Sequence, residues 1–193
     1  DKATDLSSTP AAALVCSAFE AAFSWSLEAV SGYLKTGLSG LSDDAADKLD
    51  LYIHTWNIHG KAYFHEDWHM NPAGMRDGKP DAALLSAITE AHDGILSCLD
   101  AFSQGLDAAK TVSDIAHTVY DLTVNIARLS GGDRFDDRAD GEYLDLLCRA
   151  LDTMTLTLGN EAISPRRFYD LFRAGIKNMS VGKIPELLDQ VRF

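Results

Sequence analysis

The chain holds 193 residues, 46% of them apolar and 24% charged, with a formal net charge of −12, a composition that fits one globular domain with a single sizeable core. So large a surplus of acid speaks against a protein that grips a duplex over its whole surface, because phosphates are neutralised by Lys and Arg. The longest apolar run, Ala11 to Phe19, is shorter than the ~20 residues that span a bilayer and has no basic segment or cleavage site before it, so neither a membrane nor a secretory role is indicated.

Helix signals follow one another along the chain, without sustained period-two alternation, so the expected class is all-α. Ser8 and Thr9 ahead of Pro10 start a helix that runs to about Ser24, and a second continues to Thr36, where Gly37 stops it. Ser42 caps a third, with Asp43 and Asp44 complementing the helix dipole in its first turn, and Gly60 breaks the chain after Asn57. Residues 61 to 80, with Pro72, Gly74, Gly78 and Pro80, read as one long aromatic-rich loop. From Asp81 a long helix carries the stripe Leu84, Leu85, Ile88, Ile95, Leu99 and Phe102, and another spans Val112 to Leu129. The segment GGDRFDDRADG breaks the pattern before a helix from Glu142 to Leu158, for which Gly159 and Asn160 suit a C-terminal cap. Ser164 and Pro165 open the last helix, and Val181 to Phe193 reads as an extended tail because Pro185 disfavours helix at Ile184. The expected architecture is a single bundle-like domain over residues 1 to 193.

The acid is unevenly spread. Residues 164 to 193 hold six cations against three acids, a balance of +3, which leaves −15 for residues 1 to 163. On the last helix Phe168, Leu171, Phe172, Gly175, Ile176 and Met179 share one side by i, i+3, i+4 spacing, while Arg166, Arg173 and Lys177 gather on the other. A surface that meets DNA or an acidic partner belongs there; the plainer reading is a solvated face.

Cys16, Cys98 and Cys148 are scattered through apolar helical contexts with no C-x-x-C pair, which is the pattern of buried free thiols. His65, Glu66 and His69 satisfy H-E-x-x-H, where two imidazoles one helical turn apart hold zinc and the glutamate is general base. Gly60 and Pro72 leave barely two turns around that string, too little for the helix the chemistry needs, and the third donor would have to come from His92 or a later Asp or Glu. Asp136, Arg138 and Asp140 imitate a calcium loop with a cation at a ligand position and Leu147 at its twelfth. Gly60-Lys61 and Gly182-Lys183 lack the rest of a phosphate-binding loop. Tyr52, Trp56, Tyr63, Phe64 and Trp68 form either a stacking platform for single-stranded DNA, with Trp68 the contact, or the anchor of the loop on the bundle.

The strings YLKTG at 33 to 37, LDLYIHTWNIHGKAYFHEDWHMNPAGM at 49 to 75 and ISPRRFYDLFRAGIKNMSVGKIPELLDQV at 163 to 191 resemble, in this order, segments of the AddB (RexB) family, AddB being one of the two subunits of the bacterial AddAB helicase–nuclease. DLSSTPAAALVCSAFEAAF near the start fits as well, so the resemblance covers most of the chain, thinly between about residues 80 and 160. It implies an internal fragment of a larger subunit, corresponding to the helical 2B insertion of superfamily 1 helicases, with DNA and an AddA-like subunit as partners in a cytoplasmic, ATP-dependent repair enzyme. ATP, magnesium and an iron–sulfur cluster would be bound elsewhere in that parent; no catalytic, metal or cofactor residue is expected in this fragment, where three cysteines cannot supply a four-thiolate cluster. Two rival functions remain at the level of sequence, a small zinc hydrolase built on the HEDWH string and an autonomous helical interaction scaffold.

Overall fold

The structure is a computed structural model that describes residues 4–75, 79–131, 138–177 and 180–181. Among these, helices account for nearly all regular structure: α1 (Pro10–Ser24), α2 (Leu27–Leu34), α3 (Asp43–Thr55), α4 (Lys61–Phe64), α5 (Ala82–Ala108), α6 (Val112–Leu129), α7 (Arg138–Leu158) and α8 (Pro165–Lys177). The all-α expectation holds. A two-residue antiparallel pair was not foreseen: β1 (Thr4–Asp5) lies against β2 (Ser180–Val181), with Thr4 opposite Val181 and Asp5 opposite Ser180.

The helix starts follow from their caps. Thr9 accepts the Ala12 amide at 3.3 Å with Pro10 in the first turn, Ser42 accepts from Ala45 at 3.2 Å, and Asp81 accepts from both Ala83 and Leu84 at 3.0 Å. At α6 the cap is reciprocal. Thr111 Oγ1 takes the Asp114 amide at 3.2 Å, while the Asp114 carboxylate takes the Thr111 amide at 3.0 Å and that of Lys110 at 2.9 Å. Those donors, Lys110 foremost, hold the Asp114 carboxyl below its ordinary range.

α1 is the central element. Its alanines let α2, α5, α7 and α8 pack around it, and Phe19, fully buried, meets Phe102 of α5 edge-on at 5.1 Å and Phe168 and Tyr169 of α8 at 6.0 and 5.2 Å. α1 ends at Trp25, a non-glycine residue at φ 48° whose carbonyl accepts the Gly60 amide at 2.6 Å. α5 and α6 touch through Gly105, where a β-carbon would come within 2.6 Å of Thr118.

Two boundaries differ from the sequence expectation. α7 begins at Arg138, inside the segment expected to break, because one interior glycine, Gly141, costs only about 1 kcal/mol and is outweighed by packing of the rest of α7 on α1 and α6. The loop after α3 contains the one-turn helix α4. Asp136 of the calcium-like string, and the tail from residue 182 onward, lie outside the described residues.

Candidate functional site

α8 starts where Ser164 Oγ accepts the Arg167 amide at 3.3 Å. Its buried stripe is Phe168, Tyr169, Phe172 and Ile176, whereas Leu171 is half-buried and Gly175 exposed; Met179 lies outside the described residues. Tyr169 displaces the expected pair because its ring packs on Phe19 and Phe23, the latter at 5.9 Å, and its hydroxyl donates to Glu20 Oε1 at 2.6 Å. Burial, reinforced by that bond, pushes the Tyr169 phenol well up, so it remains a donor. The outcome is a rotation of the stripe, which brings Arg166 and Arg173 onto the flank beside α1 rather than directly opposite the core.

On that flank the Arg166 guanidinium lies 4.6 Å from the centre of the Phe23 ring, and that of Arg173 lies 5.5 Å from the centre of Tyr169. Arg166, Arg167, Arg173 and Lys177 are all exposed, and among the described residues none forms an ion pair. Elsewhere Lys35 is held by Asp50 at 3.1 Å and Lys48 by Asp44, while Lys61, Lys110, Arg128 and Arg149 are, among the described residues, in no ion pair either but do not share one helix face with other cations. Asp170 is exposed on the same helix and tempers the strip. Next to it a shallow hollow of about 260 Å³ is lined by Arg166, Phe23, Ser24, Ser26, Glu20 and Glu28. On α1, within reach of the Arg173 charge, the Cys16 thiol is pushed up to about 11 by burial, an effect that Arg173 partly offsets. It is therefore a protonated packing group.

The loop between α3 and α5 turns its aromatics inward. Trp68 is 7% exposed, stacked on Tyr52 at 5.3 Å and lying 3.9 Å from the His92 ring, and its indole N–H donates to the Tyr63 carbonyl at 3.0 Å. Phe64 is 1% exposed, and Trp56 Nε1 donates to the Asn71 carbonyl at 3.1 Å. Trp68, grouped with the three cations at the level of sequence, is thus a core side chain with its donor spent and no open ring face. Tyr63 alone of the five is substantially exposed, at 56%.

The HEDWH string leaves the helix at Phe64, so His65 and His69 do not share a helical face. His65 presents Nδ1 to the Lys61 carbonyl at 2.6 Å and Nε2 to the Asp100 carboxylate at 2.8 Å, so both ring nitrogens face protein acceptors. His92 is buried, with Nε2 donating to the Phe64 carbonyl at 2.8 Å. Among the described residues no three His, Cys, Asp or Glu stand together in a metal-holding group. None of their helices is long and apolar enough to cross a membrane. What periodicity could not supply were the supports Phe23, Tyr169 and Glu20: two of them lie on α1, far from α8 in sequence, and only the arginine–aromatic pairing in three dimensions reveals them.

These features define a helical domain whose aromatic side chains, thiols and His92 are spent largely on packing, with a strip of exposed cations along α8 that form no ion pair among the described residues. No family model matches the chain. It is nonetheless similar over its length to the B subunit of the ATP-dependent helicase/deoxyribonuclease of Clostridioides difficile (strain 630), at 25% identity over 206 residues, which is 99% of this chain and 18% of that protein. The proteins of the same name from Clostridium perfringens (strain ATCC 13124) and Acetivibrio thermocellus are each 25% identical over 216 and 210 residues, covering 100% and 99% of this chain and 18% of theirs. The resemblance seen in the YLKTG and ISPRRF strings thus extends to the whole chain, and the chain spans less than a fifth of the relatives it matches.

Proposed function

We propose that this chain is a non-catalytic helical domain of an AddB-type protein, acting within a cytoplasmic helicase–deoxyribonuclease that processes broken DNA ends, and that it touches DNA through Arg166, Arg173 and Lys177. In this reading an AddA-like subunit is the protein partner, and ATP, magnesium and an iron–sulfur cluster are bound by other parts of the enzyme. The observation that carries it is the α8 strip: Arg166, Arg167, Arg173 and Lys177 are gathered on one helix, all exposed and, among the described residues, in no ion pair, on a chain otherwise strongly acidic. The shifted titratable groups support the non-catalytic part. Burial moves the Cys16, Cys98 and Cys148 thiols upward, away from nucleophilic thiolates.

Charge reversal tests the reading. Arg173→Glu with Lys177→Glu should abolish binding of a fluorescein-labelled duplex at low salt while circular dichroism stays unchanged, since both side chains are exposed. Neutralising one contacting cation should flatten the log–log salt dependence by about 1. Undiminished binding by the double variant overturns the placement on α8.

A further inference from the structure

The geometry points to a stacked-arginine shelf: Phe23 and Tyr169 position the planes of Arg166 and Arg173 as fixed forks for the phosphodiester backbone, a task that positive charge alone does not perform. The inference rests on the DNA-contact reading above and gives that surface its ligand chemistry, phosphate groups irrespective of base.

Three observations carry it. The two guanidinium groups lie 4.6 and 5.5 Å from the ring centres, within the ~6 Å at which a cation is attracted to an aromatic face. Both rings are themselves fixed: Tyr169 is 3% exposed and tied to Glu20, and Phe23 packs against Phe19 at 5.8 Å and Tyr169 at 5.9 Å. Finally, neither arginine spends its N–H groups on a carboxylate among the described residues, although Glu20 and Glu28 line the hollow beside Arg166. A planar fork held on a ring loses little rotamer freedom when it closes on two phosphate oxygens, whereas a lysine on its flexible stem stacks poorly and binds as a point charge. Phe23 and Tyr169 act through the arginines and are positioning residues.

The experiment separates this inference from the reading beneath it. Binding of a fluorescein-labelled duplex and of its single strand is measured against salt for the unaltered chain, for Arg166→Lys with Arg173→Lys, for Phe23→Leu, and for Arg173→Glu with Lys177→Glu. The double lysine variant keeps every charge, so the salt slope should stay the same while affinity falls about tenfold. Phe23→Leu should lower affinity at unchanged slope, and sequence changes in the probe should leave both unaffected. Lysine variants that bind as tightly as the unaltered chain, alongside glutamate variants that do not bind, overturn the shelf and leave the DNA surface standing. Glutamate variants that bind normally, or an unaltered chain that binds neither probe at low salt, overturn both.

Discussion

The loop after α3 and the flank of α8 are built from the same materials, aromatic rings beside polar or cationic groups, and put them to opposite uses. In the loop the rings go inward and their edges are satisfied at once: Trp68 between Tyr52 and His92, its N–H on the Tyr63 carbonyl, and Trp56 on the Asn71 carbonyl. On the α8 flank Tyr169 is buried and Phe23 of α1 half-buried, but each ring carries a guanidinium. An aromatic cluster in a sequence therefore does not announce a binding platform. What matters is whether the groups above the rings have been left without partners.

The comparison is broken most forcefully in the loop. Trp68→Ala removes a buried indole and its hydrogen bond, and should cost about 3–5 kcal/mol in chemical denaturation, while leaving the DNA affinity of the protein that remains folded unchanged. A loss of affinity at preserved stability would instead make Trp68 a contact residue.

Acid is a gentler probe. Burial depresses the His92 imidazole below its ordinary value, partly offset by its bond to the Phe64 carbonyl and by Asp93, so the unfolded chain takes up the proton first. The contribution is then fully present above the unfolded value near 6.5 and declines as pH falls below it, by at most about 1.4 kcal/mol per unit. Denaturation followed from pH 7.5 down to about 5 should show that decline, and His92→Gln should flatten it; an unchanged slope in the variant assigns it to another group. Least of all, Tyr63→Ala, at 56% exposure, should shift stability by under about 0.5 kcal/mol. A larger change would mean that the outward ring is as structural as the inward ones.

Much of the fold is legible locally because caps and stripes are local. Thr9 with Pro10, Ser42 and Asp81 mark helix starts within one turn of the residues they bond. The stripe of α8 is legible in Phe168, Phe172 and Ile176, but its centre is set by Glu20, 149 residues away from Tyr169, and no spacing rule carries that information. Arg138 at the start of α7 shows the same limit in reverse, since a glycine and a charged run look like a break until the helix has something to pack on. The HEDWH string is the clearest case of pattern without context. Its letters fit a zinc site, but the helix that would align them ends at Phe64, before the string begins.

The antiparallel pairing of Thr4 with Val181 and Asp5 with Ser180 also has a mechanical consequence. Thr4 and Val181 stand opposite each other at one end of the ribbon, so a pull that separates these two residues peels the pairs apart one after another instead of loading them together in shear. Under traction the ribbon gives first, at low force, and the helices behind it, held by Phe19 and its neighbours, are spared.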